Sequence, residues 1–270
     1  MKHSLISTDC PLGLVVCAAL LASAAAGEEL RRPELVVPKV DQGPTIDGKL
    51  DDPQWQRAAA IGGFIAPQDP HKGRLTPSRA RILLVHDGVN YYVAIDCDLP
   101  PGGKPTMKYR RRDAKVYMDR YQMEIWLTPP DYGGTTTAYQ MIANAYGAIF
   151  DAKHVPRLGV VSSTWNGDWT VESRYETGGR WTAEVAIPFD DLVTRPGVQA
   201  WDPQQPWGGM VAVAWPQRGW PYTGGWYKNI QTHARMTMST TGTAVRVEDL
   251  NSLLDNELAA KLTLVNGEAT

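Results

Sequence analysis

The feature that most constrains this chain is a series of short runs in which apolar and polar residues alternate with a period of two. Each run is cut off by glycine, proline or aspartate. Over 90–98, Tyr91, Val93, Ile95 and Cys97 fall on one face, and Tyr92, Ala94, Asp96 and Asp98 on the other. Over 121–127, Tyr121, Met123, Ile125 and Leu127 alternate with Gln122, Glu124 and Trp126. This is the period of a strand with one face on a core. The run 79–86 stands just before Asp87-Gly88 and the run 90–98, which predicts a hairpin. The runs 169–176 and 180–187 predict a second one around Gly178-Gly179. Further strands are expected at 137–144, 147–151, 209–215, 234–239 and 244–247. Helical spacing occurs only over 251–261, where Leu253, Leu254 and Leu258 recur.

Composition agrees with a β-rich chain. There are 25 Gly and 20 Pro to make turns, and 10 Trp against 3 Phe. With 43% hydrophobic residues the chain can bury a core, which excludes disorder as its main state. No apolar run reaches the roughly 20 residues that span a bilayer. A formal net charge of −2 argues against nucleic acid as the partner. The expectation is an all-β, mostly antiparallel β-sandwich of jelly-roll or immunoglobulin-like type, with short helical segments.

The first residues read as an address. Lys2 and His3 precede an apolar run over 12–21, and Ala22-Ser23-Ala24-Ala25-Ala26 follows. This is the order of a secretory signal peptide, 1–26, cut near Ala24 to Ala26. Secretion, extracellular or periplasmic, is therefore expected. Cys10 and Cys17 leave with it, so Cys97 stays as a lone thiol in a strand, buried and without a disulfide partner. Residues 27–43 mix charge and proline and read as an exposed lead-in. The domain proper is expected over 44–250, with a C-terminal tail, 251–270, of possible helical character.

Five motifs occur in order. They are Pro44-Thr45-Ile46-Asp47-Gly48-Lys49-Leu50-Asp51-Asp52-Pro53-Gln54-Trp55; Val85-His86-Asp87-Gly88-Val89-Asn90-Tyr91-Tyr92-Val93-Ala94-Ile95; Met123-Glu124-Ile125-Trp126-Leu127; Tyr139-Gln140-Met141-Ile142-Ala143-Asn144-Ala145-Tyr146-Gly147; and Trp181-Thr182-Ala183-Glu184-Val185-Ala186-Ile187-Pro188-Phe189. The series resembles family 9 carbohydrate-binding modules, within the DOMON-like sandwich group, over about 44–250. The resemblance implies non-catalytic binding of a polysaccharide or oligosaccharide, possible association with a glycan-degrading enzyme, and possible structural calcium. It also implies a sugar clamped between two aromatic rings with polar groups on its hydroxyls. Glu124, Gln140 and Asn144 stand at the family's polar positions, and Tyr117 is the nearest candidate for the first ring. Over 209–215 the family's polar residues are replaced by Val211, Ala212 and Val213.

The chemistry of the residues points the same way. A pyranose ring offers a face of C–H groups, which a flat, rotamer-poor Trp or Tyr matches, and a rim of hydroxyls for amides, carboxylates and guanidinium groups. Trp220 and Trp226 sit in an aromatic-rich stretch with Arg218 interleaved. The candidate ligand-binding set is Tyr117, Glu124, Gln140, Asn144, Arg218, Trp220 and Trp226. The basic run Lys108-Tyr109-Arg110-Arg111-Arg112, with Lys115, could meet acidic glycans or phosphate, or be a solvated loop balanced by Asp113 and Asp119. Asp47, Asp51, Asp52, Asp96 and Asp98 offer oxygen ligands of the kind calcium takes, or simply form turns.

Other classes have less support. The chain has no G-x-S-x-G, H-E-x-x-H or P-loop. A glycosidase would need two carboxylates roughly 5 to 9.5 Å apart, and Glu124 with Glu184 is the one strand-placed Glu pair to nominate. Hydrolysis of O-glycosyl bonds would be the activity, if there were any. Haem ligation would draw on Met118, Met123, Met141, His86 or His154, without a supporting spacing. A secreted structural or protein-interaction domain that keeps the sandwich without a sugar site is the main alternative.

Overall fold

The alternating runs fold as strands. The chain is described by a computed structural model over residues 32–65, 79–99, 105, 107–130, 136–176, 179–192, 205–214, 220–221, 230–250 and 260–265. In chain order the strands are β1 (Glu34–Val37), β2 (Ala59–Ile61), β3 (Phe64–Ile65), β4 (Ala80–His86), β5 (Asn90–Asp98), β6 (Gln122–Thr128), β7 (Ala138–Asn144) and β8 (Ile149–Val155). Then come β9 (Val160–Ser162), β10 (Thr170–Tyr175), β11 (Arg180–Pro188), β12 (Trp207–Ala214), β13 (Trp220–Pro221), β14 (Ala234–Met238), β15 (Ala244–Leu250) and β16 (Ala260–Val265). One α-helical turn, Pro53–Gln56, and a few 3-10 turns complete the described elements.

Two seven-stranded sheets pack face to face as a β-sandwich. The first runs β1-β14-β12-β6-β7-β8-β9 and the second β10-β11-β5-β4-β2-β15-β16. Both expected hairpins are present: β4 pairs with β5 and β10 with β11, each antiparallel. The sheets are mixed, because β1 runs parallel to β14 and β15 parallel to β2.

The period of two decides what fills the sandwich. Met123, Ile125 and Leu127 of β6 and Tyr139 and Met141 of β7 share one core cluster with Ile82 and Leu84, Val93 and Ile95, and Trp181 and Val185 of the second sheet. Each such side chain contributes about 1.5–3 kcal/mol on burial. Cys97 lies in this cluster, and burial pushes its thiol well above the ordinary range, so it is an inert core residue.

A second cluster covers the outer face of the second sheet, where Trp55, Val40 and Ala58 lie on Leu83, Val85, Tyr92 and Ala94. Its polar centre is Glu184. The carboxylate accepts from Trp55 Nε1 at 2.6 Å, Gly48 N at 2.7 Å and Asp47 N at 2.9 Å. Gly48 has φ +80°, a backbone that side-chain-bearing residues rarely adopt, and this turn aims its N–H at the carboxylate. The first and last of the ordered motifs are thus two halves of one clasp.

Two expected boundaries are corrected. The lead-in over 27–43 is not exposed throughout: Val37 and Val40 are buried and β1 extends the first sheet. The cause is the apolar Leu35-Val36-Val37 run, too short to stand out between Pro33 and Pro38. The tail is not helical at its described part, since β16 pairs antiparallel with β15. Thr263 and Val265 are β-branched and favour that pairing. Residues 1–26 and 251–259 lie outside the described residues.

Candidate functional site

The outer face of the first sheet carries the polar residues that alternate with its core set. Register sets them in rows. Ala212, Glu124, Ile142 and Phe150 are paired across β12, β6, β7 and β8, and Met210, Trp126, Gln140 and Ala152 form the next row. Glu124 and Gln140 therefore sit diagonally across adjacent strands, where their side chains meet.

They do meet. Glu124 Oε1 accepts from Gln140 Nε2 at 2.7 Å and from Trp126 Nε1 at 2.6 Å. Gln140 Oε1 lies 2.9 Å from His154 Nε2, so that nitrogen carries the proton it donates. The His154 ring leans on the Trp126 indole with centroids 4.6 Å apart, and His233 meets the same indole edge-on at 5.9 Å. Trp126 is buried with Ala138, Met210, Ala212 and Ile230, while Gln140 and His154 are half-buried. The result is a polar relay, Glu124–Gln140–His154, over an indole floor. A relay of this kind fixes donors and acceptors in place before a ligand arrives, which lowers the ordering cost of binding.

Of the expected set, Glu124 and Gln140 are brought together. Asn144 is not available to a ligand. Its amide donates to Tyr109 O at 2.7 Å and Asp119 Oδ2 at 2.8 Å, and its oxygen accepts from Tyr146 N and Ala148 N, each at 3.0 Å. Buried and with all four bonds made, it is a structural lock. Tyr117 is exposed, with its ring edge-on to Phe150 at 5.2 Å, so it stands at the β8 end of the Glu124 row. Trp220 begins β13, which pairs with β3. Its side chain, and all of Arg218 and Trp226, lie outside the described residues.

Trp126, His154 and His233 join the site as partners that the candidate ligand-binding set read from the sequence does not include. Trp126 was legible, since it stands two residues from Glu124 on the same strand face. The histidines have no sequence spacing that links them, and the sheet order supplies the proximity.

The other candidate chemistries separate in space. Glu124 is on the outer face of the first sheet and Glu184 is in the cluster on the outer face of the second, with the core between them. They form no carboxylate pair across a cleft. Among the described residues no three His, Cys, Asp or Glu side chains group to hold a metal. Of the aspartates considered for calcium, Asp47 pairs with Lys49, Asp52 accepts from Thr45 N, and Asp96 is bridged by Arg81 and Arg180. Met123 and Met141 are core residues and Met118 is exposed, which separates the haem candidates. No described helix is long and apolar enough to cross a membrane.

No protein-family profile matches the sequence, and no curated protein matches it. Among solved structures, a Bacteroides uniformis protein described as a "putative carbohydrate-binding protein" superposes with a TM-score of 0.55 over 77% of this chain and 99% of its own, at 12% identity. The shared feature is the sandwich itself. Two structures of a family 9 carbohydrate-binding module from Caldicellulosiruptor kristjanssonii, one with cellotriose and one with glucose, align at 15% identity with TM-scores of 0.49 and 0.45. They cover 77% and 76% of this chain and 94% and 95% of their own.

Proposed function

We propose that this protein is a non-catalytic carbohydrate-binding module that holds an oligosaccharide or polysaccharide on the outer face of the first sheet. The observation that carries the reading is the Glu124–Gln140–His154 relay over Trp126. It supplies oriented polar groups of the kind sugar hydroxyls require, beside the exposed ring of Tyr117. The carbohydrate-binding description of the superposing Bacteroides uniformis protein supports it as a likeness of fold. Tyr117 supplies an exposed ring beside this face, and Trp220, Trp226 and Arg218 are the further proposed contacts. The sequence pattern of 1–26 supports export, and work alongside a glycan-degrading enzyme belongs to the same proposal.

Titration calorimetry of the purified protein against cello-, xylo-, mannan- and galacturonate oligosaccharides tests this, with and without calcium. Sugar binding that falls about tenfold or more in Gln140→Ala and in Trp226→Ala supports the reading; a tenfold loss is about 1.4 kcal/mol. A folded protein that binds none of the sugars returns the chain to the interaction-domain reading. That alternative has its own support, because the residues β12 gives this face, Gly208, Met210, Ala212 and Ala214, carry no polar side chain.

A further inference from the structure

The basic run lies on a loop that the sugar reading leaves unused. Residues 107–120 cross the β7–β8 end of the same outer face, where Val116 is fully buried against Ile142 and Ala148, with Tyr109, Ala114 and Phe150 packed around it. The loop is pinned by one buried carboxylate. Asp119 accepts from Lys108 N at 2.9 Å, Tyr109 N at 3.4 Å and Asn144 Nδ2 at 2.8 Å. Asp113 N donates to Ile149 O at 2.9 Å, which ties the loop's middle to β8.

The cations on it divide into two kinds. Arg112 is held by partners within the protein: it pairs with the buried Asp151 and donates to Asn166 Oδ1 and Gly167 O. Lys108, Arg110, Arg111, Lys115 and Arg120 are exposed and make no ion pair among the described residues. Asp113 is the one exposed carboxylate among them. This concentration of positive charge sits on a chain whose formal net charge is −2. Aromatic rings are set among the cations. The Arg110 guanidinium lies 4.1 Å from the Tyr146 ring centroid, Tyr146 meets Tyr175 at 5.8 Å, and Tyr117 is 44% exposed.

We propose that the 107–120 loop is the anion-recognising rim of the sugar site, and that the glycan bound there is an acidic polysaccharide. The inference rests on the proposed function and names its substrate class. Like-signed side chains on a pinned loop attract a regularly charged polymer, and because the loop is already ordered little entropy is lost on binding. Tyr117 offers a sugar-facing ring within the same loop. This favours a glycan over a lipid surface, because the exposed side chains of the loop are mostly charged and only Tyr117 and Met118 add apolar surface, which is no wide apolar face. Glycan carboxylate and glycan sulfate share the recognising chemistry.

Affinity electrophoresis of the full protein through native gels tests it. The gels carry polygalacturonate, chondroitin sulfate, hydroxyethylcellulose, xylan or duplex DNA, and flotation with phosphatidylserine vesicles is run beside them. The expected result is retardation by polygalacturonate or chondroitin sulfate that weakens between 50 and 200 mM salt. It should fall about tenfold or more in Arg110→Ser/Arg111→Ser/Lys115→Ser. Binding of neutral glycan by that variant stays within about twofold of the parent, and an unchanged thermal midpoint shows that it is folded. The carboxylate and sulfate gels identify the charge source. Retardation by neutral glycans alone overturns the acidic-substrate inference and leaves the proposed function standing. No retardation by any glycan overturns both. Equal capture by DNA or vesicles, or an unaffected triple variant, overturns the assignment of this loop to acidic sugar. A single variant, Lys115→Glu, gives the same readings in smaller measure if the triple substitution impairs folding.

Discussion

At the scale of single residues, buried carboxylates here do structural work. Burial pushes Glu184 above the usual carboxylate range, and the donors from Asp47 N, Trp55 Nε1 and Gly48 N pull it back. Those three donors have few alternatives, since Trp55 is 1% exposed and Gly48 is fixed in a left-handed turn. Glu184→Gln replaces one accepting oxygen with an NH2 group and sets donor against donor. Each buried group left unsatisfied costs about 1–3 kcal/mol, so the expected loss of unfolding free energy is about 2–4 kcal/mol. Urea denaturation of the two proteins measures it, and a loss under about 0.5 kcal/mol would show that the clasp is dispensable. Trp55 and Trp181 are readable as core from their motifs, but the bond that joins Trp55 to Glu184 is not. It spans 129 positions of sequence, and no local pattern encodes it.

At the scale of elements, what was legible depended on whether the period of two ran long enough. β5 and β11, nine residues each, and β6 were readable from alternation, and their core faces are the ones the pattern assigns. β1 and β16 were not. The first is four residues between prolines, and the second follows a leucine spacing over 251–261 that points to helix. The site divides along the same line. Glu124 and Gln140 share a sheet face by period, whereas His154 and His233 reach Trp126 only through sheet order. Asn144 alternates with core residues just as Gln140 does, which points to a ligand group, yet it closes the 107–120 loop onto β7. Asn144→Leu keeps its size and removes four bonds. Hydrogen exchange should then quicken at the Lys108, Tyr109, Tyr146 and Ala148 amides, with β4 and β5 unchanged. Uniform quickening across both sheets would mean that the loop is no separable unit.

At the scale of the whole molecule, the two sheets are joined by more than their shared core. The segment after β1 leaves the first sheet and bridges the second, where Val40 N donates to His86 O and His86 N to Pro38 O. His86, at the end of β4, lies 2.8 Å through Nε2 from Ser239 O, just beyond β14 of the other sheet. A carbonyl only accepts, so Nε2 carries the proton in either charge state of the ring, and it is burial that favours the neutral form. Burial lowers this histidine to about 4 from the ordinary 6.5, with the Ser239 bond opposing the shift. The sign follows from linkage. Between those two values the unfolded chain binds a proton that the folded chain refuses. The neutral ring's contribution is therefore complete above about pH 6.5 and is lost as pH falls toward and through about 4. The full loss is bounded by about 3 kcal/mol. Asp151, Asp191 and Glu184 are each raised by burial and act with the opposite sign, so the raw acid limb mixes both effects. The difference between the parent and His86→Gln removes the shared part, because the glutamine amide still reaches toward a carbonyl but does not titrate. Urea midpoints at intervals from pH 4 to 7 should converge for the two proteins as pH falls. Parallel lines over that range would mean that the tie between the sheets does not depend on the charge of His86.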